Sequence, residues 1–207
     1  NKIIGNEIAF KTFNFLRVNE AEIEIPQIQG KSYREVGEDN PGEISEFENI
    51  EYGISNEVLD QNRKYLNYYK SYTSEEGKTE EDFKLFELDD EYSELFDLHH
   101  IVAEKDSKLK VVLDYTSTGK DEKFRNSVIK VLAKENSEVE VFVIARDDDK
   151  SLVLESIGVY TEAHAKVSVH QYELGAARLY TNYKCELIGE YSEGNVDSIY
   201  FGQKDEY

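Results

Sequence analysis

Four histidines, one cysteine and several acidic clusters are the side chains of this 207-residue chain with the most obvious capacity for chemistry. His99 and His100 are adjacent, so on a strand they point to opposite faces and cannot chelate one ion together. His164 and His170 are six apart, which puts them on one strand face but about 20 Å from each other. Neither pair has metal-ligand spacing, so a metal site would need histidines and Cys185 brought together from different segments. The plainer reading is solvated or hydrogen-bonded histidine. Cys185 lies in the alternating run Leu179, Thr181, Tyr183, Cys185, Leu187, where a free cysteine packs as a small hydrophobe. No Cys-x-x-Cys pair accompanies it. Asp147-Asp148-Asp149 lacks the glycine and distal glutamate of a calcium loop and reads as a solvated turn. Gly119-Lys120 follows Thr116-Ser117-Thr118 without phosphate-loop spacing, and there is no serine elbow or dinucleotide fingerprint. Glu138 and Glu140 share a strand face as a glycosidase pair would, but in so acidic a chain such pairs arise by chance. The residues therefore assign no catalytic, cofactor-binding or metal-binding position.

The net charge is −20, carried unevenly: residues 1–100 hold 10 basic and 24 acidic residues, residues 101–207 hold 14 and 20. Such a surface repels phosphate backbones and anionic bilayers, so neither nucleic acid nor membrane is an expected partner. A single cysteine permits no intrachain disulfide, which suits a reducing, cytoplasmic setting. The opening Asn1-Lys2-Ile3-Ile4-Gly5 has no signal-peptide apolar core, and Val141 to Ala145 is the longest apolar run, too short to span a bilayer. The chain has no methionine, so it reads as trimmed or cut from something longer.

The elements that must position these side chains change character near residue 100. Residues 7–28 alternate loosely and read as one or two short strands, with Ile23 and Ile25 set against Glu22 and Glu24 and ended by Pro26. Glycines and acids over 29–54 read as loop. Val58, Leu59, Asn62, Leu66 and Tyr69 recur at helical spacing within 55–72, behind a cap at Ser55 or Asn56. Thr79-Glu80-Glu81-Asp82 before Phe83 and Phe86 resembles a capping box. After residue 100 an internal repeat takes over. Polar turns at 103–108, 133–138 and 161–166 are each followed by strict alternation, and Leu109, Val139, Val167 and a weaker Val196 fall 30, 28 and 29 residues apart. A second strand family, Val128–Leu132, Leu152–Val159 and Leu179–Leu187, lies between the copies. Two strands per period of this length mean stacked coils, each burying its neighbours' apolar face. An antiparallel sandwich also supplies short strands, but does not require turns and strands to recur together. The expectation is a mainly β protein: a β-solenoid over 99–207, preceded by a small mixed α/β region over 1–98 with one or two helices. The acidic N-terminal segment is expected to cap one end. The other end stops in Gly202 to Tyr207 and should pair with another chain, a second copy included, or with residues missing from this sequence.

Several segments carry a family resemblance: Leu113-Asp114-Tyr115-Thr116-Ser117, Phe124-Arg125-Asn126-Ser127, Leu174-Gly175-Ala176-Ala177-Arg178, and Cys185-Glu186-Leu187-Ile188-Gly189-Glu190-Tyr191. Together they resemble the SufB/SufD family of iron–sulfur cluster assembly proteins. Thr12-Phe13-Asn14-Phe15-Leu16-Arg17-Val18-Asn19 with Ile25-Pro26 is more similar to SufD. The resemblance implies a right-handed parallel β-helix behind an N-terminal helical region. It also implies a scaffold subunit without catalysis of its own, acting with SufB-like and SufC-like partners, the latter an ABC-type ATPase. The family's key Cys and His residues and ATPase-binding helices lie in a C-terminal part beyond this sequence, so no functional residue is carried over. No cofactor is expected on this chain alone; the cluster is handled by the complex. Two readings compete: a self-associating solenoid module, and a β-helix enzyme acting on polysaccharide, which would need a groove of clustered carboxylates.

Overall fold

The computed structural model describes residues 1–8, 19–39 and 41–202. Strand β1 (Lys2–Gly5) pairs antiparallel with β2 (Ala21–Glu24), and a 3-10 turn at Ser45–Phe47 and helix α1 (Asn56–Tyr65) follow. The rest is a parallel β-solenoid of five coils. One sheet is built from β3 (Tyr68–Ser74), β5 (Glu94–Ala103), β7 (Lys123–Ala133), β9 (Ser151–Thr161) and β11 (Arg178–Leu187). The other holds β4 (Thr79–Leu88), β6 (Lys108–Ser117), β8 (Glu138–Arg146), β10 (Lys166–Glu173) and β12 (Glu193–Tyr200). Every strand from β3 to β12 pairs in parallel with the strand two before or after it, so the sandwich alternative is excluded.

The repeat sets this register. Leu109, Val139 and Val167 are direct partners, as the alignment requires. The fourth partner is Gly194, not Val196, which pairs with Val169. Alternation has a period of two, so a slip of two residues leaves every side chain on its proper face and escapes a pattern-based alignment. The polar turns form a column of left-handed residues: Gly77, Asp106, Asn136, His164 and Tyr191, with φ between 58° and 69°. Their amides donate to the next coil, from Asp106 N to Glu135 O (3.1 Å), Asn136 N to Ala163 O (2.9 Å) and His164 N to Glu190 O (2.9 Å). The hydroxyls of Ser107 and Ser137 donate back to Glu104 O (2.6 Å) and Lys134 O (2.7 Å), closing each turn.

The two sheets differ in what covers them. On β6 and β8 alternate residues are buried, which is the signature of one solvated face. On β7 and β9 nearly every residue is buried. The N-terminal region supplies the second cover: Ile23, Ile25, Ile54 and Val58 pack on Phe96, Phe124, Leu152 and Leu154. It reaches the last coil, where Asn6 Nδ2 donates to Thr181 O (3.1 Å). The N-terminal segment therefore flanks the solenoid along one sheet, and it also caps the first coil as expected: Tyr33 packs on Tyr68 and Phe86 and accepts from Glu87 N (2.9 Å), and Glu38 N donates to Tyr69 O (2.7 Å).

Two local expectations fail. The helix from Ser55 stops at Tyr65, although Ser55 does cap it, its Oγ accepting from Val58 N at 3.3 Å. Leu66 turns extended, and Asn67 is fixed to the sheet, its Oδ1 accepting from Phe96 N (2.8 Å). The tyrosine-rich run beyond then continues as β3, the first strand of the sheet containing β5 to β11. Residues 79–88 are a strand, not a capped helix. They pair with β6 along their whole length, and Phe86 and Leu88 are buried while Phe83 is 62% exposed. Tertiary pairing outweighs the local cap signal. Of the strands expected over 7–28, β2 (Ala21–Glu24) forms, with Ile23 and Ile25 buried; residues 9–18, with most of the motif at 12–19, and 203–207 lie outside the described residues.

Candidate functional site

The solenoid interior is half apolar and half polar. At one end of the cross-section Ile101, Ile129, Ile157, Val131 and Val159 stack into an aliphatic core. At the other, Asp97, Ser127, Glu155 and Thr181 occupy the same register position in successive coils. Inward alternation on β5, β7 and β9 places them there. Across the interior stand Tyr115, Asp147, Gln171 and Glu173 from β6, the turn after β8, and β10.

Arg125 is the centre of this column and is 1% exposed. Its Nη1 donates to Glu155 (3.1 Å) and Ser127 Oγ (3.1 Å), its Nη2 to Asp147 (3.1 Å). Its guanidinium lies 3.9 Å from the Tyr115 ring centre. Burial disfavours the cation, but Asp147 and Glu155 outweigh this and hold it firmly protonated. Below, Asp97 accepts from Ser127 Oγ (2.6 Å) and Tyr115 OH (2.7 Å) and contacts His99 Nε2 (2.7 Å). Burial alone would raise the Asp97 carboxyl; the His99 contact, then Arg125 and Ser127, bring it below the ordinary range. Above, Gln171 Nε2 donates to Glu155 (2.9 Å), and Ser198 Oγ donates to Gln171 Oε1 (2.9 Å). Thr181 Oγ1 and Tyr200 OH are 3.1 Å apart in the last coil. Glu173 is pushed up, to about 9, by burial and by the charges of Glu155 and Asp147, so it keeps its proton at neutral pH. The result is a continuous hydrogen-bonded column through coils two to five. It can share protons and hold charge away from water, and it meets the surface at the last coil.

Leu187, Ile188, Tyr191, Val196, Ile199, Tyr200 and Phe201 are exposed in that coil, and among the described residues no strand pairs with the outer edges of β11 and β12.

The residues singled out from sequence are scattered across this frame. His99 lies inside the column and His100 on the opposite face beneath α1, as adjacency on a strand requires. His164 is not on a strand with His170: it occupies a left-handed turn, stacked on Tyr191 at 5.2 Å. His170 sits on the solvated face of β10, stacked on Phe142 at 4.7 Å and facing Asp197 and Glu140. Cys185 packs half-buried against the aliphatic core, and burial pushes its thiol up. Asp147 corrects the solvated-turn reading, because it is the buried partner of Arg125. The Gly119-Lys120 turn cradles a carboxylate: Asp90 accepts from Lys120 N (2.8 Å), Asp121 N (3.0 Å) and Lys123 Nζ (2.8 Å). Glu138 and Glu140 belong to a charge ladder on the solvated sheet, with pairs Lys108–Glu138, Lys110–Glu81, Arg146–Asp114 and Lys166–Glu193. A shallow cavity on this face is lined by Glu80, Glu81, Glu138 and Glu140, but Lys108 and Lys110 stand among them, paired with Glu138 and Glu81. Among the described residues no group of three or more His, Cys, Asp or Glu is placed to hold a metal ion, and no helix is long and apolar enough to cross a membrane.

The column itself escaped the motif search. Its signal was present: Asp97, Ser127 and Glu155 recur at the repeat spacing, in the inward phase of otherwise apolar strands.

A parallel solenoid with a charged interior and one covered flank defines a class of parallel β-helical protein. Comparison with family models is specific: residues 86–207 match the model described as SUF system FeS cluster assembly, SufBD core domain. The chain belongs to that family of iron–sulfur cluster assembly proteins, as its sequence motifs implied. No curated protein and no solved structure matches it.

Proposed function

We propose that this chain is a SufD-like scaffold subunit, working with a SufB-like protein and a SufC-like ABC ATPase and catalysing no reaction alone. The carrying observation is the family match across β5–β12 on a solenoid whose interior carboxylates are engaged structurally by Arg125, Ser127, Tyr115 and Gln171. The resemblance around Asn19 and Ile25-Pro26 favours SufD within the family. The open last coil, with its unpaired strand edges and apolar side chains, suits association with another solenoid. The cytoplasm is the setting this role implies. Affinity-tagged product of this gene, co-expressed with the SufB-like and SufC-like proteins of the same genome, should retain both through purification. Retention of neither would remove the assignment and leave self-association as the better reading.

A further inference from the structure

The N-terminal cover does not seal perfectly against the sheet. Between α1 and the outer face of β5 and β7 lies a cavity of about 130 Å³. Its floor is His100 and Lys130, direct partners in the sheet; Leu59, Asn62 and Arg63 of α1 form a wall, and Glu43 stands at the mouth.

The polar groups facing this space are unusual for so acidic a protein. His100 is 3% exposed; its Nδ1 lies 3.3 Å from Tyr69 OH, and its Nε2 has no hydrogen-bond partner among the described residues. With Tyr69 donating to Nδ1, Nε2 carries the ring proton and is a buried donor without an acceptor. Lys105, Lys108, Lys134 and Lys166 each face a carboxylate. Lys130 forms no ion pair among the described residues, and its ammonium lies 5.8 Å from the Phe47 ring centre. Burial, then Lys130 and His99, pushes His100 down to about 4; burial and Arg63 lower Lys130, against a smaller opposing effect of Glu43. Tyr52 also lines the cavity, with a phenol that burial keeps neutral. The Asn62 amide is spent on Asp97 O and Asn126 O. Lys130, the His100 ring and Arg63, the last already paired with Asp60 (2.9 Å), thus border a space in which Glu43 at the mouth is the one lining carboxylate, and the unpaired His100 donor is a cost that an anion would relieve.

We propose that this cavity binds a single tetrahedral oxyanion of the phosphate kind, held by Lys130, Arg63 and the His100 Nε2–H. Its volume suits one such group and falls well below the roughly 300 Å³ at which pockets for larger organic ligands begin. Glu43 at the mouth opposes the anion and sets its affinity.

The test is a histidine-detected NMR titration of the whole chain with potassium phosphate, against potassium chloride at equal ionic strength. Phosphate should move the His100 ring signals saturably and raise its pKa from about 4. Lys130→Met should weaken binding at least tenfold, Arg63→Gln at the exposed rim several-fold, and Glu43→Gln should tighten it. Arg63→Gln and Glu43→Gln decide the matter should Lys130→Met not fold. O-phosphoserine, run alongside, separates a free ion from a phosphate carried on a larger molecule, and saturable binding of either supports the site. Equal shifts from chloride, failure of both phosphates, or binding indifferent to these substitutions would overturn it.

Discussion

Arg125→Met removes the one guanidinium that joins Asp147 and Glu155 while keeping most of the side-chain stem. Both carboxylates are buried with Arg125, each accepting one of its hydrogen bonds at 3.1 Å. Breaking a buried pair by removing one partner costs roughly 3–5 kcal/mol, because the remaining charge is stranded. Loss of the stack on Tyr115 adds to this, up to about 2 kcal/mol for a desolvated cation over a ring. Against a typical total of about 5–15 kcal/mol, the variant should be close to unfolding at neutral pH. Urea titration followed by circular dichroism measures the loss, with hydrogen exchange of β7 and β9 amides beside it because coiled repeats can unfold in parts. The pH dependence is the sharper readout. Without Arg125 the column holds two buried carboxylates with no countercharge, so the defect should shrink on acidification from pH 8 toward 5. Adding Asp147→Asn and Glu155→Gln should restore most of the lost stability at all pH values. A cost below about 1 kcal/mol at pH 8, or a defect that does not shrink on acidification, would refute the reading of the column as a charge-balanced core.

Three further outcomes follow from the same geometry. Glu173 holds its proton in the fold, so its contribution is present below the unfolded carboxylate range and fades as pH rises toward 9; Glu173→Gln should stabilise by about 1–3 kcal/mol near pH 8.5 and by almost nothing near pH 4, measured as denaturation midpoints across pH. Asp97 shifts the other way, so its contribution is present at neutral pH and lost as pH falls through and below the ordinary carboxylate range; Asp97→Asn should cost about 2–4 kcal/mol at pH 7 and flatten the acid limb of the stability curve. Asn62→Ala strips the amide that bonds Asp97 O (3.0 Å) and Asn126 O (2.7 Å), and should cost about 1–3 kcal/mol, with faster hydrogen exchange confined at first to α1.

The repeat was legible because each coil needs the same three things: a polar left-handed turn, an inward alternation and matching strand lengths. Leu109, Val139 and Val167 therefore announced their own pairing. Gly194 did not, since a two-residue slip preserves the alternation and only the length of the turn before β12 decides between the choices. The helix at Ser55 was legible at its start, where one hydroxyl caps it, and not at its end, where Asn67 is claimed by Phe96 in a different element. Residues 79–88 show the same limit, because a local cap signal cannot know that β6 will offer ten backbone partners. The column was hidden for a related reason. Arg125 and Asp147 are 22 residues apart and Asp97 and Ser127 are 30 apart, so no short motif contains them. The fold brings them together by placing coils in register. Motif reading consequently favoured the histidines and the Asp147–Asp149 run, and took the column's Asp147 for a solvated turn residue.

The central claim is that this solenoid serves iron–sulfur cluster assembly as a scaffold within a larger complex. Anaerobic reconstitution tests it directly, using the product of this gene with its SufB-like and SufC-like partners, iron, a sulfur donor, ATP and an apo acceptor. The account predicts that cluster transfer to the acceptor drops sharply when this subunit is omitted, and that the subunit alone supports none. Transfer that proceeds equally well without it, or that the chain achieves unaided, would contradict the assignment.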